Sequence, residues 1–91
     1  MALIRFKPEA TPEQVDRVVA ALRALRFDGL LAFTIGRDAG LRDGNADLAI
    51  VSDFADEGSY RAYDTHPEHE RIRRELLAPI VARAERCQVR A

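Results

Sequence analysis

The residues best suited to acid-base chemistry lie in one short stretch, residues 62–70, with the sequence AYDTHPEHE. It contains both histidines of the chain, His66 and His69, and one of its two tyrosines, Tyr63. A histidine titrates near pH ~6.5, so its side chain can give or take a proton around neutrality. A tyrosine hydroxyl can donate a hydrogen bond to a ligand oxygen. The stretch is therefore a candidate site for proton transfer beside a carbonyl group, a reaction that needs no cofactor.

In this chemical interpretation, His69 and Tyr63 are the catalytic residues and His66 contacts the ligand. His69 would lie near the positive end of a helix beginning at Pro67, which favours the neutral imidazole that a general base needs. If His69 stands outside a packed core, its replacement by alanine should cost less than about 1 kcal/mol of stability.

The same residues also have a purely structural interpretation. His66 precedes Pro67, so it can cap a helix that starts at the proline. His69 would then satisfy a backbone group, and Tyr63 would pack against its neighbours. The sequence leaves both interpretations open.

A metal site is the third possibility, and the spacing argues against it. The two histidines are three residues apart, and the order H-x-x-H-E matches neither the HExxH nor the HxxEH zinc pattern. We therefore expect no metal and no cofactor.

Cys87 is the only cysteine, so no disulfide can form within the chain.

The elements that would position this stretch follow the order β-α-β-β-α-β. Thr11, Pro12 and Gln14 give three concordant signals for a helix start, and the apolar positions that follow have a helical period. Runs rich in branched, aromatic or alternating apolar residues predict the strands. The predicted strands cover residues 2–7, 30–36, 47–54 and 80–89, and the predicted helices cover residues 12–28, residues 56–64 and a further helix starting at residue 67.

This order predicts an α+β fold of the ferredoxin-like class, with a four-stranded antiparallel sheet in a single domain over residues 1–91. The two helical regions of such a fold cover one face of the sheet. The other face would be an exposed mixed patch in a chain of this size unless a partner covered it. Pairing of two sheets in a homodimer is the simplest way to cover it.

Composition excludes several classes of partner. The chain has 14 basic and 15 acidic residues and a net charge of -1, with no basic cluster to follow a nucleic acid backbone. No uncharged apolar run approaches the ~18–20 residues that a membrane span requires, and the first residues lack the apolar core of a signal peptide. We therefore expect a cytoplasmic protein that binds neither nucleic acid nor membrane.

Three stretches together resemble one protein family, the stress-responsive A/B barrel (Dabb) domain. They are RFKPEATPEQ, FTIGRDAGLRDGNADLAIVSDFAD and YDTHPEHE, and they span most of the chain in the family's order. The resemblance implies a ferredoxin-like fold whose sheets pair face to face in a homodimer. Such a dimer closes an α/β barrel with an internal cavity.

The family includes uncharacterised stress-associated proteins and small-molecule enzymes, among them a polyketide cyclase. Tyr63 and His69 match the tyrosine and the second histidine of the Y-x-x-H-P-x-H stretch in that cyclase, where the histidine is the acid-base group. The chain begins with Met1-Ala2-Leu3 and has no histidine in its first strand, where family members commonly carry one.

The resemblance implies a homodimer that binds a small apolar or aromatic carbonyl compound in its cavity. Its enzymatic form would carry out cofactor-free chemistry of a cyclase or isomerase type. The alternative is a ligand-binding or stress-response module without catalysis.

Overall fold

The computed structural model describes residues 1–90 of the chain. The last residue of the predicted domain, Ala91, lies outside the described residues. The helix that begins at residue 67 continues into a π-helical turn. The strands are β1 (Ala2–Phe6), β2 (Leu30–Arg37), β3 (Leu48–Phe54) and β4 (Val81–Arg86), and the helices are α1 (Pro12–Ala24), α2 (Glu57–Asp64) and α3 (Pro67–Ile72), followed by the π-helical turn Arg73–Leu77.

The four strands form one antiparallel sheet in the order β2-β3-β1-β4, which confirms the predicted ferredoxin-like fold. Ile4 pairs with Leu48 on one side and with Ala84 on the other, and Ile35 pairs with Ile50. Paired residues share a face of the sheet, so these side chains all point toward the helices. The core consists of the buried residues Ile4, Val18, Val19, Leu22, Ile35, Leu48, Ile72 and Ile80.

Helix α1 begins as predicted and ends earlier than predicted. The Thr11 hydroxyl accepts a hydrogen bond from the Gln14 amide at 3.2 Å, and the Gln14 side chain accepts one from the Thr11 amide at 2.8 Å. Leu25 leaves the helical conformation, and the Arg26 guanidinium donates to the carbonyls of Arg23 and Leu25 at 2.6 and 2.8 Å. The side chain of Arg26 thus satisfies carbonyls at the helix end, about one turn before the expected position.

Strand β4 is also shorter than predicted, since it ends at Arg86. The segment that follows it contacts α2 instead. The Gln88 amide donates to the Tyr60 hydroxyl at 3.1 Å, and Arg90 forms an ion pair with Glu57 at 2.7 Å. Cys87 still exchanges backbone hydrogen bonds with Met1 at 3.0 and 3.1 Å, and Gln88 and Arg90 then contact the helix layer rather than extending the sheet.

The second face of the sheet is open. Leu3 pairs with Ala49 and Val51 pairs with Thr34, which places all four on the side opposite the core. The side chains of Leu3 and Val51 are 43% and 36% exposed. No element within residues 1–90 covers this face. Within the same residues, none of the helices combines the length and apolar character needed to cross a bilayer.

Gly29 allows α2 to approach the start of β2. Its φ is +83°, a left-handed conformation that residues with a Cβ rarely adopt. A Cβ at this position would lie 2.1 Å from the Ser59 hydroxyl oxygen and 2.6 Å from the Ser59 Cβ. The packing of α2 on the sheet therefore requires glycine here.

We expect Gly29→Ala to destabilise the protein by about 2–4 kcal/mol, because the strained φ and the collision with Ser59 act together. Gly40→Ala is the matched control, since Gly40 also has a positive φ of +73° but its Cβ would meet no atom within 4 Å. The control should cost only about 1 kcal/mol. Equal losses for the two variants in chemical denaturation would show that the close approach of α2 is unimportant.

Candidate active site

A small cavity lies between the helix-facing side of the sheet and the α2–α3 region. Its volume is about 90 Å³. Its apolar walls include Ile4, Leu22, Ile50, Ile72 and Leu77, and its polar lining includes Tyr63, Asp64, His69 and Arg73.

The break between α2 and α3 sets the positions of the two histidines. Helix α2 ends at Asp64, and His66 is extended, with φ -63° and ψ 135°. Such a conformation is expected before a proline, because the ring of Pro67 disfavours the helical region at the preceding residue. The chain then turns and starts α3 at Pro67.

His66 caps α3 and lies outside the cavity. Its Nδ1 accepts a hydrogen bond from the Glu68 amide at 3.1 Å. Its ring packs edge-on against Phe27, with centroids 4.8 Å apart. The ligand contact expected of His66 stays a prediction, and its position offers that role no geometric support.

His69 lies inside the helix layer and lines the cavity. Only 9% of its surface is exposed. Its Nδ1 lies 3.4 Å from the Asp64 carbonyl oxygen, and its ring centroid is 4.2 Å from that of Tyr63. We assign the proton to Nδ1, since a carbonyl can only accept. This tautomer leaves Nε2 with a lone pair that can act as a base.

Tyr63 is held by aromatic neighbours and also lines the cavity. Its ring lies 4.9 Å from Phe27 and 5.2 Å from Phe54, centroid to centroid. Its hydroxyl forms no hydrogen bond with any residue from 1 to 90. Every side-chain polar atom of these residues that is fully buried does have a hydrogen-bond partner, so the Tyr63 hydroxyl oxygen is not fully buried. The hydroxyl therefore keeps surface access and can bond to a ligand.

The protonation states of the two groups complement each other. Burial lowers the pKa of His69, the positive charge of Arg73 lowers it further, and contacts with Asp64 and Glu70 oppose the change. Burial raises the pKa of the Tyr63 hydroxyl. At neutral pH the site thus combines a neutral imidazole base with a protonated hydroxyl donor.

Sequence reasoning missed the pair of residues that supports His69. Arg73 donates to the Asp64 carboxylate at 3.0 Å and to the Asp64 carbonyl at 2.5 Å. The carbonyl that contacts His69 is therefore also held by Arg73. The spacing of four between His69 and Arg73 places them on one helix face, but Asp64 lies beyond the helix break, where periodicity gives no signal.

The burial of His69 contradicts the premise that it stands outside a packed core, so we now expect a larger cost for its replacement by alanine. An alanine would leave a void beside Tyr63 and remove the contact with the Asp64 carbonyl. The free energy of unfolding should fall by more than about 1 kcal/mol. Glutamine, which retains bulk and a donor, is the better replacement for testing chemistry.

The described residues also contain no group of three or more His, Cys, Asp or Glu side chains that could hold a metal ion.

We expect the neutral forms of the two histidine rings to be opposite tautomers, with the proton on Nδ1 in His69 and on Nε2 in His66. The reason is that the His69 Nδ1 donates to a carbonyl, whereas the His66 Nδ1 accepts from an amide. Long-range ¹H–¹⁵N NMR correlations distinguish these forms, and titration should give His69 a pKa below 6.5.

Arg73→Gln should raise the pKa of His69, because a nearby positive charge is removed. The same tautomer in both rings, or a His69 pKa at or above its ordinary value, would contradict this description of the site.

Comparison with solved structures shows where this architecture recurs. A protein from Thermobifida fusca, described as a dimeric ferredoxin-like protein of unknown function, is 36% identical, with a TM-score of 0.82 over 92% of this chain and 80% of the other. A Dabb family protein from Mesorhizobium loti is 22% identical, with a TM-score of 0.71 over 92% and 85% of the two chains. A protein from Arabidopsis thaliana is 19% identical, with a TM-score of 0.72 over 99% and 95%. The last two likenesses concern the fold alone.

No curated protein matches the chain. The family model of the stress responsive A/B barrel domain matches residues 1–88, which is almost the whole sequence. The motifs, the topology and this match agree, and the chain belongs to the Dabb family.

Proposed function

We propose that this Dabb-family chain forms a homodimer through the open face of its sheet and binds a small apolar or aromatic carbonyl compound in the cavity of each protomer. We further propose cofactor-free proton transfer there, in a cytoplasmic setting. The observation that carries the chemical part is the contact between the rings of His69 and Tyr63, 4.2 Å apart between centroids, in the lining of a largely apolar cavity.

In the proposed reaction, Nε2 of His69 removes a proton from the carbon beside the ligand carbonyl. Negative charge then develops on the carbonyl oxygen, and Tyr63 donates a hydrogen bond to it. The protonated His69 then returns its proton to another carbon conjugated with the enolate or to the oxygen, which completes an isomerisation. In a ring closure, the enolate carbon instead attacks a second carbonyl of the same ligand, a C–C bond forms as the C=O π bond breaks, and His69 gives its proton to the resulting alkoxide. The apolar walls strengthen the interaction between hydroxyl and oxyanion because they lower the local dielectric constant.

The size of the cavity limits the ligand. Its volume of about 90 Å³ is well below the ~300–1,000 Å³ typical of sites for drug-sized molecules. The ligand is therefore a small compound.

A non-catalytic ligand-binding or stress-response module is the second candidate. It is favoured by the structural role that each aromatic residue already has, since His66 caps α3, His69 contacts a backbone carbonyl and Tyr63 packs between Phe27 and Phe54. Binding without turnover would select this candidate.

Support for a homodimer comes from the open sheet face and from the Thermobifida fusca protein, which is described as dimeric. Leu3, Ala49 and Val51 form an apolar patch in the middle of that face. Such a patch is normally covered in proteins of this size.

We expect Val51→Asp to weaken the dimer strongly, because it places a charge where the interface would remove water. Ala20→Asp is the matched control, since it adds the same charge on the exposed side of α1. Sedimentation at micromolar concentration should show dimer for the wild type and the control, and mainly monomer for Val51→Asp. A monomeric wild type would overturn the proposed assembly.

The proposed chemistry can be tested by screening small carbonyl compounds for thermal stabilisation and then analysing each hit for product. His69→Gln should reduce any turnover by about 10²-fold or more, Tyr63→Phe should also reduce it, and His66→Gln should reduce it far less. Because the base must be neutral, activity should be constant above the pKa of His69 and fall below it, at a pH under 6.5. Equal turnover in the wild type and His69→Gln would contradict the proposal.

A further inference from the structure

Arg86 reaches the cavity from the end of β4. It pairs with Ala2, which in turn pairs with Ile50, a residue packed against the core. Paired residues share a face, so Arg86 lies on the helix-covered side of the sheet. Together with Gln88, it forms part of the cavity lining.

The other charged side chains of this lining, and the Gln88 amide, already have partners. Arg73 binds the carboxylate and the carbonyl of Asp64, and Gln88 binds the Tyr60 hydroxyl. Arg73 and Asp64 form an ion pair with each other. Among residues 1–90, the Arg86 guanidinium forms neither an ion pair nor a hydrogen bond, and the residue is exposed. It is thus the unpaired side-chain charge of the cavity lining within the described residues.

We propose that the ligand is an oxo acid, in which a carbonyl and a carboxylate are joined by a short chain, and that Arg86 binds the carboxylate. This inference rests on the carbonyl site of the proposed function and deepens it. A guanidinium presents parallel N–H donors that match the two oxygens of a carboxylate. Apolar cavity walls concentrate the field of an unpaired charge and favour an anion over a neutral ligand.

The residues proposed to bind the two ends of such a ligand lie close together in the fold. The contact between Gln88 and Tyr60 brings the segment after Arg86 against α2, one helical turn before Tyr63. A cavity of about 90 Å³ accommodates only a compact molecule. Carboxylate and carbonyl are therefore expected within a few bonds of each other.

Acetoacetate and its methyl ester are suitable probes, because both carry the ketone and only the first carries a charge. Binding is followed by NMR of the two histidine rings, with His66 as the internal reference outside the cavity. We expect acetoacetate to bind the wild type about tenfold more tightly than the ester, as one partly exposed charge-assisted contact provides. The preference should shrink as salt is added.

Arg86→Gln should reduce this preference to less than about threefold, with no change in the His69 shift caused by the ester. Arg17→Gln is the matched control, since it removes the same charge from an exposed position of α1, and it should keep the tenfold preference. The melting temperature of both variants without ligand should equal that of the wild type.

The outcomes separate the two proposals. Equal binding of acid and ester, with the NMR signals of the His69 ring shifted by both, would contradict the proposal that the ligand is an oxo acid. It would still support the proposed carbonyl site. A preference for the acid that survives in Arg86→Gln would overturn the role of Arg86. If neither probe shifts the His69 ring, the carbonyl site and the oxo acid inference both fall.

Discussion

The proline at position 67 is the constraint on which the candidate site depends. It keeps His66 out of the helical conformation, so α2 ends at Asp64 and cannot run on into α3. Carbonyl groups at the end of a helix lack partners from the next turn. The Asp64 carbonyl is one of these, and it is satisfied by side chains of His69 and Arg73. A helix break thus creates the acceptor that orients the imidazole.

Packing around Tyr63 holds this arrangement against the sheet. Phe27 comes from the connection before β2 and Phe54 from the end of β3, and both contact the Tyr63 ring. The close approach at Gly29 lets α2 settle onto these residues. Phe27 also contacts His66, so this one aromatic side chain packs against α2 and against the residue that caps α3. Fold and site therefore share the same contacts, which explains why each candidate residue also has a structural role.

The sequence predicted most of the fold because its signals are local. Thr11, Pro12 and Gln14 mark the start of α1, and alternating residues mark β1 and β3. Element ends were less predictable, because they depend on contacts distant in sequence. Gln88 and Arg90, for example, leave the strand pattern to contact α2. Periodicity also gives no sign of the π-helical turn after α3.

The site was predictable in part. The resemblance to the cyclase motif indicated that Tyr63 and His69 could act together, and the structure brings their rings into contact. The sequence could not show that Arg73 and Asp64 would meet across the break, because the turn at Pro67 determines their distance. It also could not show that His69 would be buried while His66 remained at the surface, since both lie in the same polar stretch.

The burial of His69 couples folding to the uptake of a proton. In the unfolded chain its ring has the ordinary affinity for protons, whereas in the folded chain that affinity is lower. As the pH falls below 6.5, the unfolded state therefore binds more protons than the folded state, and this ring makes the fold less stable. The loss from this group stops once the pH is below the pKa of the folded state. Acid thus weakens the fold through the same side chain that carries the proposed chemistry.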